Sequence, residues 1–238
     1  MKKAIVVGAT SGIGRGIAEI LVEHGYKVGI TGRRTHLLDE IKNGNKDFYV
    51  PGKFDVKDLS EIHLHLEKLV LDLGGLDLLI ISSGTGDTSD HLDFNIEKRT
   101  IDVNVIGFTA VADWAFNYFE RQKYGHLVGI SSIAGLRGNR YAPAYSASKA
   151  FQINYFQGLR QKATKLGIPL YVTEIRPGYV DTAMAQGDYL FWVSSVEKAS
   201  QQIFRAIYSR RKVAYITKRW FLIALIMKLL PDWIYNKA

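Results

Sequence analysis

The chain has 238 residues, with 31 Lys and Arg against 23 Asp and Glu, six His, no Cys and a formal net charge of +8. That length suits one large α/β domain, and a hydrophobic share of 47% with 23% charged residues excludes a wholly disordered chain. Without Cys there are no disulfides, thiolate zinc sites or cysteine nucleophile.

Short apolar, β-rich runs at residues 4–7, 28–31, 48–54, 76–82, 126–131, 170–175 and 213–216 predict strands. Most are apolar at every position, the pattern of strands covered on both faces. Segments 13–24, 36–43, 59–73, 97–122, 144–166 and 196–209 predict the intervening helices. This alternation gives right-handed βαβ crossovers and a single-domain, doubly wound parallel α/β sheet with helices on both faces. Residues 1–217 are expected to carry both cofactor and catalytic sites, and 218–238 to form a basic, apolar helical extension of the same domain. The apolar run after the basic start breaks at Gly8, too early for a signal peptide, so a cytoplasmic location is expected.

Charge is uneven along the chain. Residues 205–238 hold eight basic residues and one acid, Asp232, whereas residues 1–204 hold 23 basic against 22 acidic. A nucleic-acid partner is therefore not expected. The apolar run at 220–230 would be roughly 16 Å long as a helix, about half a bilayer core, and cannot span a membrane. Two readings stay open for the tail. It packs on a neighbouring subunit or over a substrate cleft, the preferred reading, or it makes a peripheral contact with anionic lipid.

The first strand runs into Gly8-Ala9-Thr10-Ser11-Gly12-Ile13-Gly14 and then directly into a helix. Such a turn brings backbone N–H groups and a helix N-terminus up to a pyrophosphate, which any Cβ at the close-approach points would hold away. An NAD site usually places an acid at the end of the second strand, roughly 20 residues past the glycines. Here stand Arg33 and Arg34, which suit a 2′-phosphate, so NADP(H) is preferred, with NAD(H) as the second reading. Arg15 is a candidate helper at the same phosphate.

Ser131 and Ser132 end the fifth strand, at the carboxyl edge where open α/β sheets bind ligands. Tyr145 follows thirteen residues after Ser132, and Lys149 lies one helical turn further on the same face. Lowering a phenol pKa by three units takes about 4 kcal/mol, the energy of a cation roughly 4 Å away at an effective dielectric of 20. A neighbouring Lys149 ammonium suffices for that.

With these elements in order, the chain resembles the short-chain dehydrogenases/reductases. The matching residues are Gly8-x-x-x-Gly12-x-Gly14, Asp55, Asn104, Ser132, Tyr145-x-x-x-Lys149, and Arg176-Pro177-Gly178 with Thr182. The resemblance implies a seven-stranded Rossmann sheet in the order 3-2-1-4-5-6-7. It implies Tyr145 as general acid/base, Ser132 on the substrate oxygen, and Lys149 lowering the tyrosine pKa while binding the nicotinamide ribose. It further implies Asn104 holding a water that links Lys149 to solvent. Gly8, Ser11, Gly12, Ile13 and Gly14 would cradle the phosphates, and Asp55 and Val56 would meet the adenine. Gly84 would pass the adenosine ribose, and Pro177, Gly178, Val180 and Thr182 would line the nicotinamide. No metal site is expected.

The fourth strand departs from the family pattern, reading Ile81-Ser82-Ser83-Gly84 instead of Asn-Asn-Ala-Gly. Ser82 and Ser83 are expected to replace the hydrogen bonds of the lost asparagines. After Pro177, the residues Tyr179, Met184, Tyr189, Leu190, Phe191 and Trp192 would form an apolar, aromatic lid suited to a hydrophobic carbonyl or alcohol. Arg137 and Arg140 are candidates for an anionic substrate group. The long helices at 97–122 and 144–166 would pair across a two-fold axis in a homodimer or homotetramer. Phe116, Phe119, Phe151 and Phe156 would lie either in that contact or in the monomer core. The competing functional reading is a catalytically silent NADP(H)-binding sensor or scaffold. Epimerases and dehydratases of the extended relatives fit less well, because their glycines are spaced differently and their chains are longer.

Overall fold

A computed structural model describes residues 1–88, 91–185 and 190–236 of the chain. Its sheet contains β1 (Lys2–Val7), β2 (Tyr26–Gly32), β3 (Tyr49–Lys53), β4 (Leu78–Ile81), β5 (Gly125–Ile130), β6 (Leu170–Pro177) and β7 (Val213–Ile216). The strands are parallel, in the order β3-β2-β1-β4-β5-β6-β7, as the resemblance implies. The helices are α1 (Gly12–Glu23), α2 (Thr35–Gly44), α3 (Leu59–Leu73), α4 (Phe94–Ile101), α5 (Phe108–Gln122), α6 (Pro143–Leu166), α7 (Val196–Tyr208), α8 (Trp220–Leu229) and α9 (Asp232–Tyr235).

The uninterrupted apolar strands follow from burial on two sides. Ala4 and Val6 of β1 enter a core with Ile17 and Leu21 of α1 and Ile203 of α7. Their alternating neighbours Ile5 and Val7 enter a second core with Leu66 of α3, Val111 of α5 and Phe156 of α6. Phe116 and Phe119 are also core residues, whereas Phe151 is exposed.

The predicted helix at 97–122 is corrected in two ways. It starts earlier, at Phe94, because the Asp93 carboxylate accepts from the Asn95 N–H and caps it. It is also interrupted by a π-helical stretch at Asp102–Gly107. There the chain passes so close to the loop after β3 that a Cβ at Gly107 would lie 2.4 Å from the Val56 carbonyl.

The basic tail does not form one patch, because β7 crosses the sheet in its middle. Arg210, Arg211 and Lys212 precede β7 at the amino edge, where Arg210 donates to the Tyr171 hydroxyl at 2.8 Å. Lys218, Arg219 and Lys228 follow β7, on the carboxyl-edge side. Lys237 lies outside the described residues.

Candidate active site

The loops after β1, β2, β4, β5 and β6 converge at the carboxyl edge. Gly8 leaves β1 with φ +87°, and a Cβ there would lie 2.6 Å from the Ser83 nitrogen. A Cβ at Gly14 would lie 2.1 Å from the Gly8 carbonyl, so the turn closes only without side chains at both positions. Ser11 precedes α1 in extended conformation and makes no side-chain cap, leaving the first-turn N–H groups of Gly12 and Ile13 for an anion. Thr182 leans over this turn, its Cγ2 at 3.1 Å from where a Gly12 Cβ would be.

Arg34 extends to the same turn, donating to Thr10 Oγ1 and Ser11 Oγ, each at 2.7 Å. Arg33 is exposed and stands 3.6 Å from Asp55, whose other oxygen accepts from the Lys57 N–H. Arg15 does not join them; it is paired with Glu19 and Glu40, each at 3.0 Å. The expected hydrogen bonds of Ser83 are not formed either. Its hydroxyl is buried without a partner among the described residues, beside the glycine turn. The bare glycine turn, the uncapped helix start and this orphaned hydroxyl together fit a dinucleotide phosphate chain and its ribose.

Ser132 follows β5, and its hydroxyl accepts from the Ala134 N–H at 3.1 Å. It also lies near enough to the Tyr145 phenol to favour its ionised form. Pro143 in the first turn of α6 sets the helix start that presents Tyr145 and Lys149 to the edge. Gly86 completes the tyrosine pocket, since a Cβ there would lie 2.4 Å from the Tyr145 ring. Burial pushes the phenol above its ordinary pKa, and the Ser132 hydroxyl opposes that shift. The Lys149 ammonium stands 5.7 Å from the tyrosine ring centre.

Lys149 is buried, which brings its pKa down to about 8. Its ammonium donates to the Ile130 carbonyl at 3.1 Å and to Gln152 Oε1 at 3.0 Å. Gln152 in turn donates to the Asn104 main-chain carbonyl at 2.9 Å. The Asn104 side chain is bound at both ends, accepting from the Thr85 N–H and donating to the Thr85 carbonyl and Ser148 Oγ. A Gly84 Cβ would lie 3.4 Å from Asn104 Oδ1 and 3.6 Å from Lys149 Nζ, so β4 delivers Gly84 to the same cluster. Gln152, Gly86 and Thr85 carry no sequence signal of their own. Each is recognised only by what it touches across the fold.

Pro177 ends β6, and Gly178 donates its N–H to the Ile216 carbonyl at 2.7 Å. A Cβ at Gly178 would lie 2.1 Å from the Trp220 indole. Val180 and Asp181 pair with Ser194, closing the two ends of the lid. Within the lid, Tyr179, Met184, Phe191 and Trp192 are exposed and Leu190 half-buried. Tyr189 lies outside the described residues. Of the two candidate arginines for a substrate anion, only Arg137 has an acid partner among the described residues. Arg137 pairs with Asp232 at 2.6 Å, and Arg140 stacks on Tyr141. Among the described residues no group of three or more His, Asp or Glu side chains could hold a metal ion.

The family model for short chain dehydrogenases matches residues 2–189. The chain belongs to the short-chain dehydrogenase family. An uncharacterized oxidoreductase of Myxococcus xanthus (strain DK1622) is 35% identical over 188 residues, covering 77% of this chain and 74% of that protein. A short-chain dehydrogenase from Streptomyces avermitilis has the same fold, with a TM-score of 0.83 at 22% identity over 95% of this chain and 91% of its own. An actinorhodin polyketide ketoreductase variant, solved with NADPH, superposes with a TM-score of 0.80 at 21% identity over 90% of this chain and 94% of its own. This short-chain dehydrogenase is accordingly an oxidoreductase. Among its described residues no helix is long and apolar enough to cross a membrane.

Proposed function

We propose that the chain is an NADP(H)-dependent oxidoreductase that interconverts a carbonyl and an alcohol on a hydrophobic small molecule, with Tyr145 as general acid/base. The observation that carries this reading is the convergence of Ser132, Tyr145 and the buried Lys149 beside a bare glycine turn at the carboxyl edge. A substrate oxygen that meets both hydroxyls is fixed where Tyr145 can donate its proton in reduction, or take one in oxidation. NADP(H), when bound, supplies or accepts the hydride. Lys149 stabilises the tyrosinate and binds ribose hydroxyls, and Asn104 holds a water that links Lys149 to solvent for proton resupply. Gly8, Ser11, Gly12, Ile13, Gly14 and Thr182 hold phosphates, while Asp55 and Val56 hold the adenine. Gly84 borders its ribose, and Pro177, Gly178 and Val180 line the nicotinamide.

Arg33 and Arg34 at the turn, and the NADPH of the actinorhodin ketoreductase, support the phosphorylated cofactor. The aromatic lid supports a hydrophobic substrate. Pairing of α5 and α6 across a two-fold axis would give the homodimer or homotetramer, with exposed Phe151 on that surface. NADPH oxidation measured with a panel of hydrophobic ketones and aldehydes tests the reading. Tight NADPH binding with no turnover on any of them would favour the silent sensor instead.

A further inference from the structure

The helix α8 is apolar on both sides, yet only one side is covered. Trp220 and Ala224 are each 1% exposed against the body, while Phe221, Leu222, Leu225, Ile226 and Leu229 form an exposed stripe along the other side. Their spacing of one and four residues keeps them on one face. Trp233 of α9 is exposed as well, and Lys218, just before α8, and Lys228, within it, are exposed cations. Arg219 adds a third, stacked on Trp192 of the lid. The one acid of the segment, Asp232, is already engaged by Arg137 at 2.6 Å. A row of bulky apolar side chains bordered by cations, with an exposed tryptophan, is the composition of a helix lying in a lipid interface. A second copy fits less well, because two-fold pairing would oppose Lys218 and Lys228 to their own images with no unpaired acid on the face.

We propose that the outer face of α8 and α9 docks on an anionic lipid surface, lying in the headgroup plane rather than spanning it. Arg219, at the start of α8, stacks 5.0 Å over the Trp192 ring, so residues 190–192 adjoin the first turn of this helix.

Flotation of the full chain with vesicles tests this without any substrate or cofactor, and so stands or falls separately from the proposed reaction. Vesicles of phosphatidylcholine with about 30 mol% phosphatidylglycerol should carry roughly tenfold more protein than pure phosphatidylcholine. The triple variant Leu222→Gln, Leu225→Gln, Ile226→Gln changes only exposed positions and should stay in solution with both. Lys218→Glu with Lys228→Glu should abolish the preference for phosphatidylglycerol. A wild-type chain that stays in solution with anionic vesicles, or a triple variant that floats as well as wild type, overturns the proposal. So does an oligomer that the triple variant dissociates in light scattering while wild type ignores vesicles, since a second copy then covers the face.

Discussion

Gln152 accepts a hydrogen bond from the Lys149 ammonium at 3.0 Å. Gln152 is 1% exposed, so this amide is part of the small set of groups that stabilise a buried cation whose pKa lies near 8. In reduction, kcat/KM should fall as pH rises through that value and the ammonium is lost. Gln152→Leu removes an acceptor and should move the falling limb to lower pH. Gln152→Glu places a carboxylate there and should move it to higher pH. A merely structural role would shift neither limb, and pH–rate profiles of the two variants against wild type decide the matter.

Tyr145→Phe is expected to keep the ring that packs on Gly86 and to lose only the hydroxyl. Turnover should drop about 10³-fold, within the range for a lost acid–base group, with NADPH affinity and melting temperature near wild type. Steady-state kinetics beside fluorescence titration of NADPH measure both halves.

Arg33→Ala should weaken NADPH by about tenfold while leaving NADH nearly unchanged, the signature of a lost guanidinium–phosphate contact. Arg34→Ala removes the hydrogen bonds to Thr10 and Ser11 as well, so it should weaken both cofactors, NADPH more. Equilibrium titration of each variant with each cofactor distinguishes them.

Beneath the site, Glu174 receives Arg176 through two hydrogen bonds of 2.6 and 3.0 Å and the Ser131 hydroxyl at 3.0 Å. Both charges are buried. Glu174→Gln leaves Arg176 without its counter-charge and should cost about 3–5 kcal/mol, a fall of roughly 10 °C in melting temperature for a chain of this size. Arg160 also pairs with Glu174, at 3.6 Å, so replacing Glu174 and Arg176 alone by Leu should not recover the loss while Arg160 stays without its carboxylate.

His126 is buried at the amino edge, with Nε2 2.8 Å from Thr173 Oγ1, and burial brings its pKa down to about 4. An unfolded chain takes up that proton near pH 6.5. Between those values the unfolded state binds more protons, so stability falls as pH drops from 6.5 to 4, by up to about 3 kcal/mol. Urea unfolding at pH 7 and pH 4.5 should show a larger loss for wild type than for His126→Gln.

The sheet is legible in the sequence because strands such as Ala4–Val7 are apolar on both faces, and the glycine turn because its spacing is dictated by backbone contact. Helical spacing puts Tyr145 and Lys149 on one face, but their role is legible only from the ordered set they form with Ser132 and the glycine turn, which carries the family resemblance. Gln152 is not legible in this way, since its meaning lies in a contact with Asn104, 48 residues away in sequence. The π-helical stretch was hidden for a related reason: an i→i+5 turn leaves the apolar periodicity on either side intact. Net charge misled in one respect, because a count along the chain does not register that β7 carries the chain from one edge of the sheet to the other.

The indole of Trp220 meets Gly178 on one side and the rings of Tyr179, Phe191 and Trp192 on the other. Moving residues 190–192 off the body would separate their rings from the Trp220 indole, so the packing of this segment and that of the last helices rest on the same side chain.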